Sequence, residues 1–589
     1  MKFLKIFLAA LLAVIAGGIL KLLFWIAVLT GVAGASDSAV RVERGSVLTL
    51  DFSELIADAP SQDPLADIDF MNMTSTRRVS LYDALKAVDA AALDDRIEGI
   101  YIRPTGGGAE SWAVLEELRE AIGDFRRSGK FVVAYSDVYA QPDYYLASVA
   151  DSVYLQPMGA VAWQGLSFST MFYKGLIDKL GVEVEVFRPT VCRYKSAVEP
   201  YILDRMSEAN RRQMQELADA MWADIAGQVA ESRAMDVAEL NRLTDELAAC
   251  EAEDAVTAGL VDRLVYEDQM EDIIASLAGS DDWHSVSLGE YASQVGQGTV
   301  SYSAPRVAIV YAEGGIVDGS GSGRGEDIGG DALAARLAEV CDDDDVKAVV
   351  LRVNSPGGSA LASDVIWREM ERLREAKPVI VSMGQYAASG GYYISAPADV
   401  IVADRLTLTG SIGVFGLMLN PTEALRSKLG VTFDAVKTNR SADMGQPGRS
   451  MTQAERAFMM RSVDKVYGRF TQLVADGRNL TLERVLEIAE GRVWSGTAAC
   501  EIGLADRCGG LKTAIALAAD KAGLTEFRVT EEIDEPSGLA MLVSSIGARV
   551  AARRMNNEMG EYYGYFERMK QALSQRGVTA YSDVRLTLE

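Results

Sequence analysis

The sequence feature that most constrains the fold is an internal repeat with a period of about 248 residues. Five pairs of segments match in the same order along the chain: 95–103 with 345–352, 130–135 with 377–383, 144–155 with 392–403, 159–166 with 410–417, and 258–263 with 502–507. This period is too long for one unit of a solenoid. The chain is therefore predicted to contain two whole domains of one fold.

Each repeat alternates short apolar runs, typical of buried strands, with stretches of helical apolar spacing such as 112–127 and 363–376. This alternation predicts an α/β fold in which mostly parallel strands lie between helices. The predicted boundaries are a first repeat at 40–278, a linker at 279–299, a second repeat at 300–530 and a tail at 531–589 with an amphipathic helix near 549–570. The glycine-rich segment 319–330 is predicted to be a mobile loop.

Residues 1–35 differ from the rest of the chain. Lys2 and Lys5 precede an uncharged apolar run at 6–20, Lys21 interrupts it, and 22–35 is again uncharged. We expect a single membrane-spanning helix with its basic end in the cytoplasm, although Lys21 costs about 2.5–3.5 kcal/mol at a helix centre. The alternative is a cleaved signal peptide ending at Ala-Gly-Ala, residues 33–35. Both alternatives export everything after Asp37.

The composition excludes several familiar chemistries. His284 is the only histidine, and it lies in the predicted linker, so a serine–histidine or cysteine–histidine hydrolase would have a badly placed base. The five cysteines form no C-x-x-C pair, which argues against a zinc cluster or a disulfide scaffold. A formal net charge of −26 argues against nucleic acid as a partner.

The second repeat carries hydroxyl groups that the first repeat lacks. Ser389, among small residues between a strand and a helix, aligns with Gln141, and Ser411 aligns with Ala160. Ser389 is predicted to be either a nucleophile or the N-cap of the next helix. After the preceding strand comes 354–359, NSPGGS, whose backbone N–H groups are placed to hold an oxyanion. The first repeat also has glycines there, so that turn alone does not discriminate.

The first repeat carries Lys195 in the segment 193–200, RYKSAVEP, and the apparent counterpart in the second repeat is Arg440. An arginine cannot act as a base in a protein, whereas a lysine can when burial lowers its pKa. The alternative for Lys195 is an ordinary exposed lysine. Together the differences predict a split site, with the nucleophile Ser389 in one repeat and the base Lys195 in the other.

At these residues the chain resembles the long, two-repeat form of the signal peptide peptidase A family, also called protease IV. The resemblance rests on YKSAVEP (194–200), VNSPGGS (353–359), AASGGYYI (387–394) and LTGSIGVFG (408–416). It covers roughly residues 40–530. The fold that it implies is a tandem pair of ClpP/crotonase-like α/β domains behind an N-terminal transmembrane helix.

The resemblance also implies a function and a set of site residues. Members are bacterial inner-membrane serine proteases, facing the periplasm, that degrade signal peptides left in the membrane after protein export. Ser389 matches the nucleophile and Lys195 the general base. Ser411 matches the hydroxyl that positions the lysine, and the backbone amides of the oxyanion hole fall at Gly357, Gly358 and Gly390. The family further implies a homotetramer. The predicted serine–lysine mechanism needs no metal or organic cofactor, and its substrates are expected to be apolar peptides that bind as an added strand.

Two other functions remain open at this point. A crotonase-type acyl-CoA enzyme would use the same backbone amides, although export of the chain argues against a cytoplasmic cosubstrate. A catalytically inactive scaffold would need neither Ser389 nor Lys195.

Overall fold

We describe a computed structural model of the protein, in residues 42–60, 68–69, 74–75, 77–104, 108–280, 282–295, 301, 303–321, 327–533, 578–582 and 584. The predicted N-terminal anchor at 1–35 and the predicted amphipathic helix near 549–570 lie outside these residues. Within the residues described, no helix is long and apolar enough to cross a membrane.

The first half of the chain alternates strands and helices as predicted. In order, its elements are β1 (Ser46–Leu50), β2 (Leu55–Ala57), β3 (Ile68–Asp69), β4 (Thr74–Ser75), β5 (Arg78–Ser80), α1 (Leu81–Leu93), β6 (Ile97–Ile102), α2 (Trp112–Arg126), β7 (Phe131–Tyr139), α3 (Gln141–Ala147), β8 (Ser152–Val161), α4 (Lys174–Leu180), β9 (Glu183–Phe187), α5 (Glu199–Ile202), α6 (Glu208–Ser232), α7 (Val237–Glu246), α8 (Ala252–Thr257), β10 (Arg263–Leu264), α9 (Glu267–Ala278), β11 (His284–Ser287) and α10 (Leu288–Val295).

The second half follows the same plan. Its elements are β12 (Arg306–Glu313), β13 (Gly315–Val317), β14 (Asp327–Gly329), α11 (Gly330–Asp342), β15 (Val346–Ser355), β16 (Gly357–Ser359), α12 (Ala360–Ala376), β17 (Val379–Ala388), α13 (Gly390–Ser395), β18 (Val400–Ala403), β19 (Leu408–Gly410), β20 (Gly416–Asn420), α14 (Thr422–Leu429), α15 (Gln453–Arg478), α16 (Leu482–Ile488), β21 (Val493–Ser495), α17 (Gly496–Ile502), β22 (Arg507–Cys508), α18 (Leu511–Lys521), β23 (Arg528–Glu532) and β24 (Thr579–Tyr581).

The two halves form sheets with the same strand order, which confirms the duplicated α/β architecture. The first sheet runs β10-β8-β7-β6-β1-β11, and all its pairings are parallel. The equivalent strands of the second run β22-β18-β17-β15-β12-β23, also in parallel. In the second sheet β19 also pairs with β17, and it carries the antiparallel strand β21.

The second sheet lies between two apolar cores, because side chains alternate between the faces of a strand. Along β12, Val307 and Ile309 join the core of the first domain, whereas Ala308 and Val310 join the core of the second. Strands buried on both faces are continuous apolar runs, which explains why the sequence showed them clearly. Because one face of the second sheet packs against the first domain, the two repeats form one structural unit.

Two predicted boundaries are wrong. Residues 284–295 of the predicted linker form β11 and α10, and β11 is the edge strand beside β1. His284 is therefore part of the first sheet, where its Nε2 lies 3.5 Å from an oxygen of Glu43. The predicted tail begins within β23, the matching edge strand of the second sheet. Short, half-polar edge strands have a weak hydrophobic pattern, so these residues were predicted to be a linker and a tail.

Part of the predicted mobile loop forms a strand, and the cysteines form no disulfide. In the predicted mobile loop 319–330, residues 322–326 lie outside the described residues, but Asp327–Gly329 forms β14 and pairs in parallel with β13. All five cysteines are free, and the Sγ atoms of Cys500 and Cys508 lie 2.6 Å apart.

Candidate active site

Ser389 lies between β17 and α13 on a strained backbone. Its φ is 55° and its ψ is −110°, a conformation that side-chain-bearing residues rarely adopt. The backbone N–H of Ser389 donates to Gly410 O over 2.8 Å, and its carbonyl accepts from Tyr393 N over 2.8 Å, which holds this sharp turn. The Ser389 side chain makes no capping hydrogen bond to the helix, so the N-cap alternative is wrong. Its Oγ points instead to the residues described next.

Lys195 meets Ser389 across the two repeats. Its side chain is buried, with 1% of the residue exposed, so the exposed-lysine alternative is wrong. Lys195 Nζ lies 2.7 Å from Ser389 Oγ, 2.9 Å from Ser411 Oγ and 3.0 Å from Ser411 O. Ser389 Oγ also lies 3.3 Å from Gly413 O. The structure therefore brings the three predicted side chains, Ser389, Lys195 and Ser411, into one cluster.

These contacts can hold the Lys195 amine in either protonation state. The amine has three oxygen neighbours, so a protonated lysine can donate to all three, and a neutral lysine can donate to the two oxygens of Ser411 and turn its lone pair to Ser389 Oγ. When the amine is protonated, it donates to Ser389 Oγ, and the hydroxyl proton turns to Gly413 O. Burial raises the pKa of the nearby Cys192 thiol to about 11, so that residue stays uncharged beside the lysine. The cluster can hold and move one proton.

The first repeat delivers Lys195 through an extended arm that docks on the second repeat. β9 of the first domain pairs antiparallel with β20 of the second, and Arg456 forms an ion pair with Glu185 on this ribbon. After β9, Tyr194 N donates to Glu490 O over 3.1 Å, and Arg188 donates to Lys195 O over 2.8 Å. Both repeats are therefore required to place the lysine.

Gly491 provides the space for this docking. Its φ is +79°, and a Cβ added there would lie 2.7 Å from Lys195 Cβ and 2.9 Å from Lys195 N. Glycine is the residue that tolerates both the left-handed backbone and the close approach. Gly491 was not predicted from the sequence, because a single glycine after Glu490 carries no motif of its own.

The glycine turn of the second repeat lies beside Ser389. β16 pairs with β13 at Gly358 and Ile316. The Gly357 N–H donates to Ser355 Oγ over 3.2 Å. Gly357 also supplies clearance: at φ +95°, an added Cβ would lie 2.5 Å from Gly390 N. The assignment of the Gly357, Gly358 and Gly390 amides as oxyanion donors stays a prediction.

The counterparts of Ser389 and Lys195 in the opposite repeats lie in different surroundings. Gln141, aligned with Ser389, accepts hydrogen bonds from the backbone of Gln164 and Gly165 and donates to Gly165 O. Arg440, the apparent counterpart of Lys195, lies exposed on the surface of the second repeat. The first repeat therefore has the same fold, but a glutamine that bonds to a loop stands at the position that corresponds to Ser389 in the second repeat.

Comparison with known proteins decides the family. The model of peptidase family S49 matches the chain twice, at residues 124–281 and 371–525. The chain belongs to peptidase family S49. It is 36% identical to Protease 4 of Salmonella typhi, covering 91% of this chain and 88% of the relative, and 34% identical to Protease 4 of Haemophilus influenzae, covering 84% and 82%. This S49 chain is a serine protease, so the acyl-CoA alternative is wrong.

Relatives of the S49 chain extend beyond these bacteria. Serine protease SPPA of the Arabidopsis thaliana chloroplast is 32% identical and covers 87% of this chain and 74% of the relative. Among solved structures, a ClpP1 chain from Listeria monocytogenes covers 36% of this chain and 94% of its own length, with 13% identity and a TM-score of 0.24. That likeness is too low to carry a conclusion about the fold.

Proposed function

We propose that this S49 peptidase is a membrane-anchored endopeptidase that uses Ser389 as nucleophile and Lys195 as general base to degrade signal peptides after protein export. The observation that carries the proposal is the 2.7 Å contact between Lys195 Nζ and Ser389 Oγ, two buried groups that come from different repeats. A hydroxyl becomes a useful nucleophile when a base beside it removes its proton. His284 lies in the edge strand β11, where its ring nitrogen faces Glu43.

In the proposed reaction, neutral Lys195 accepts the Ser389 proton while Ser389 Oγ bonds to the substrate carbonyl carbon. The N–H groups of Gly358 and Gly390 stabilise the negative oxygen that forms. The lysine then passes its proton to the leaving amine, and an acyl-enzyme remains on Ser389. Lys195 next removes a proton from water, which attacks the ester and regenerates the serine. Ser411 holds the lysine in place throughout through its two oxygens.

The test is hydrolysis of an apolar fluorogenic peptide by the full-length protein. Ser389→Ala and Lys195→Met should each lower kcat/KM by at least about 1,000-fold, since each removes a member of the catalytic pair. Lys195→Arg should be equally inactive, because arginine keeps the charge but cannot accept the proton. Activity in any of these three variants within tenfold of wild type would refute the pair.

Matched controls separate chemistry from folding. Ser395 is as buried as Ser389, and its Oγ bonds to Gly391 O over 2.7 Å within the same helix, so Ser395→Ala tests the loss of a buried hydroxyl alone. Lys512 is a partly exposed lysine that pairs with Asp89, so Lys512→Met tests the loss of a lysine alone. Both controls should hydrolyse the peptide at rates near those of wild type.

The membrane anchor, the location and the substrate belong to the same proposal. Residues 1–35 support an anchor with the catalytic domains in the periplasm of a bacterial inner membrane. A relative from Enterococcus faecium, named putative signal peptide peptidase SppA, is 37% identical and covers 37% of this chain and 62% of its own length, which supports signal peptides as substrates. Carbonate extraction of membranes, together with N-terminal sequencing of the mature chain, separates a retained anchor from a cleaved signal peptide.

The proposed assembly is a homotetramer, as the family resemblance implies. Light scattering of the purified full chain measures its mass directly. A monomer that hydrolyses the peptide at full rate would overturn the tetramer while leaving the catalytic pair in place, because Ser389 and Lys195 meet within one chain.

A further inference from the structure

Cys500 and Cys508 form a pair of thiols at one edge of the second sheet. Cys500 lies in helix α17, and Cys508 ends strand β22, which pairs with β18. The two Sγ atoms lie 2.6 Å apart, and Cys508 Sγ also lies 3.9 Å from Gly496 O. A covalent bond between two sulfur atoms is about 2.05 Å long. A movement of about half an ångström would therefore join these two thiols.

The first repeat shows what packing alone requires at these two positions. Its helix α8 and strand β10 correspond to α17 and β22, and Val256 and Leu264 stand where the second repeat has the two cysteines. Both residues are partly buried and pack against the core of the first domain. Apolar side chains therefore satisfy the fold, whereas the second repeat has a thiol at both positions. A cysteine packs like a small apolar residue, so what the pair adds is its reactivity.

The two thiols differ in exposure and in acidity. Cys508 is exposed to solvent, whereas Cys500 is half-buried. The hydrogen bond with Cys500 lowers the pKa of the Cys508 thiol to about 7, and the positive charge of Arg405 acts in the same direction. The same hydrogen bond raises the pKa of Cys500. Because the thiolate is the form that attacks a disulfide, Cys508 is the attacking sulfur and Cys500 lies in contact with it to complete the exchange.

We propose that Cys500 and Cys508 are a site of oxidation, at which exchange with a disulfide oxidant forms a bond between their sulfur atoms. The Cys508 thiolate attacks one sulfur of the oxidant, forms a mixed disulfide with it and releases the other sulfur as a thiolate. Cys500 then loses its proton and attacks Cys508 Sγ, which releases the second sulfur of the oxidant. Two electrons and two protons pass to the oxidant, which becomes two thiols. That the bond forms in the cell rests on the export in the proposed function, because disulfides persist in oxidising compartments.

The bond would fasten a segment that leads away from the candidate active site. Helix α17 directly follows β21, and β21 pairs with β19, the strand that ends just before Ser411. Arg492 O, next to β21, accepts the Ser411 N–H over 2.7 Å. The bond would tie the helix to the sheet through β22 and would close the short loop between the two cysteines. Closing a loop restricts the unfolded chain, so the oxidised protein should unfold at a higher urea concentration than the reduced one.

The experiment treats the purified, reduced full-length protein with oxidised glutathione and measures its intact mass and its linked peptides. Wild type should become about 2 Da lighter, with one link between the peptides that contain Cys500 and Cys508. Cys500→Ser should instead retain one glutathione on Cys508, because no second thiol releases it. Cys508→Ser should react at position 500 at least about tenfold more slowly, since that thiol is less exposed and stays protonated. Cys341→Ser, which removes another half-buried cysteine, should form the link as wild type does.

Other outcomes overturn the inference or the export on which its occurrence rests. A wild-type protein that hydrolyses the fluorogenic peptide but keeps both thiols free in oxidised glutathione refutes the site and leaves the proposed function standing. A link from Cys508 to any cysteine other than Cys500 refutes the pairing, and an oxidised form that unfolds at no higher a urea concentration refutes the tie between α17 and β22. Blocking thiols with maleimide before lysis measures the bond in the cell. A pair that is reduced there but oxidised readily after purification supports the site and contradicts the exported location.

Discussion

Arg352 joins the two repeats through a buried cluster of charges, and removing it should destabilise the protein strongly. Its side chain is fully buried in β15, and its Nη2 lies 2.6 Å from Asp58 and 2.8 Å from Glu117, both buried residues of the first domain. Its Nη1 donates to Ser382 Oγ over 2.8 Å. Arg352→Met leaves two carboxylates without their cation, and removing one member of a buried ionic cluster costs about 3–5 kcal/mol.

The assay is urea unfolding of the full chain, followed by tryptophan fluorescence. The loss should depend on pH. Burial raises the pKa of Glu117, and Arg352 opposes that shift, so the pKa rises further in the variant. A carboxyl group whose pKa is raised in the folded state contributes stability at low pH and loses it as the pH rises. The deficit of Arg352→Met should therefore be smaller at pH 5 than at pH 8.

A compensated variant tests the charge argument itself. The triple change Asp58→Asn, Glu117→Gln and Arg352→Met removes all three charges and leaves no buried carboxylate. We expect it to be more stable than Arg352→Met by about 2 kcal/mol or more, since neutral replacements for a buried ionic group are often well tolerated. A single variant that costs less than about 1 kcal/mol, or a triple variant no more stable than the single one, would refute the reasoning.

Three other predictions test the site and the interface. Ser411→Ala removes one hydrogen bond of the Lys195 amine, which is worth about 0.5–1.5 kcal/mol. We therefore expect kcat to fall about two- to twelve-fold with KM unchanged. A loss of kcat beyond about 100-fold would contradict a role for Ser411 limited to this one hydrogen bond. Gly357→Ala places a methyl group 2.5 Å from Gly390 N, so peptide hydrolysis should be nearly lost while circular dichroism stays native; a wild-type rate would contradict this clearance role. Glu116 and Asp404 hydrogen bond to each other between the repeats, and burial raises the pKa of both carboxyl groups. Because groups with a raised pKa in the folded state stabilise it only while they are protonated, the free energy of unfolding should decrease as the pH rises above about 4.5. Asp404→Asn should flatten that decrease in urea midpoints measured from pH 5 to 8, and an unchanged slope would rule out the pair as its source.

Much of the fold was predictable because its signals are local. Strands such as β15 and β17 are apolar on both faces, and helix α12 begins at Ser359, whose Oγ accepts the Ala362 amide as an N-cap. The edge strand β11 was missed because its pairing with β1 joins residues far apart in the chain, and its own pattern is half polar. Long-range pairing of a short polar strand leaves little trace in the sequence around it.

The same distinction holds for the active site. The sequence showed the duplication, a serine and a lysine that each occur in only one repeat, and no well-placed histidine. Together with the family resemblance, these features predicted Ser389, Lys195 and Ser411. The sequence did not predict the hydrogen bond from the Gly357 N–H to Ser355 Oγ, because the direction of one backbone N–H depends on the folded turn. Nor did the sequence predict that the tail segment 579–581 pairs with β16 beside the site.

The sequence by itself determined the kind of fold and the kind of chemistry, because buried strands, helix periods and the choice of reactive side chains are properties of neighbouring residues. Only the tertiary structure decided which groups meet. The 2.7 Å contact between Lys195 and Ser389 depends on the docking of an arm from one repeat against the other. The position of Ala580 beside Gly358 depends on backbone pairing between segments more than two hundred residues apart. Such contacts arise from packing of the whole chain, which no local pattern encodes.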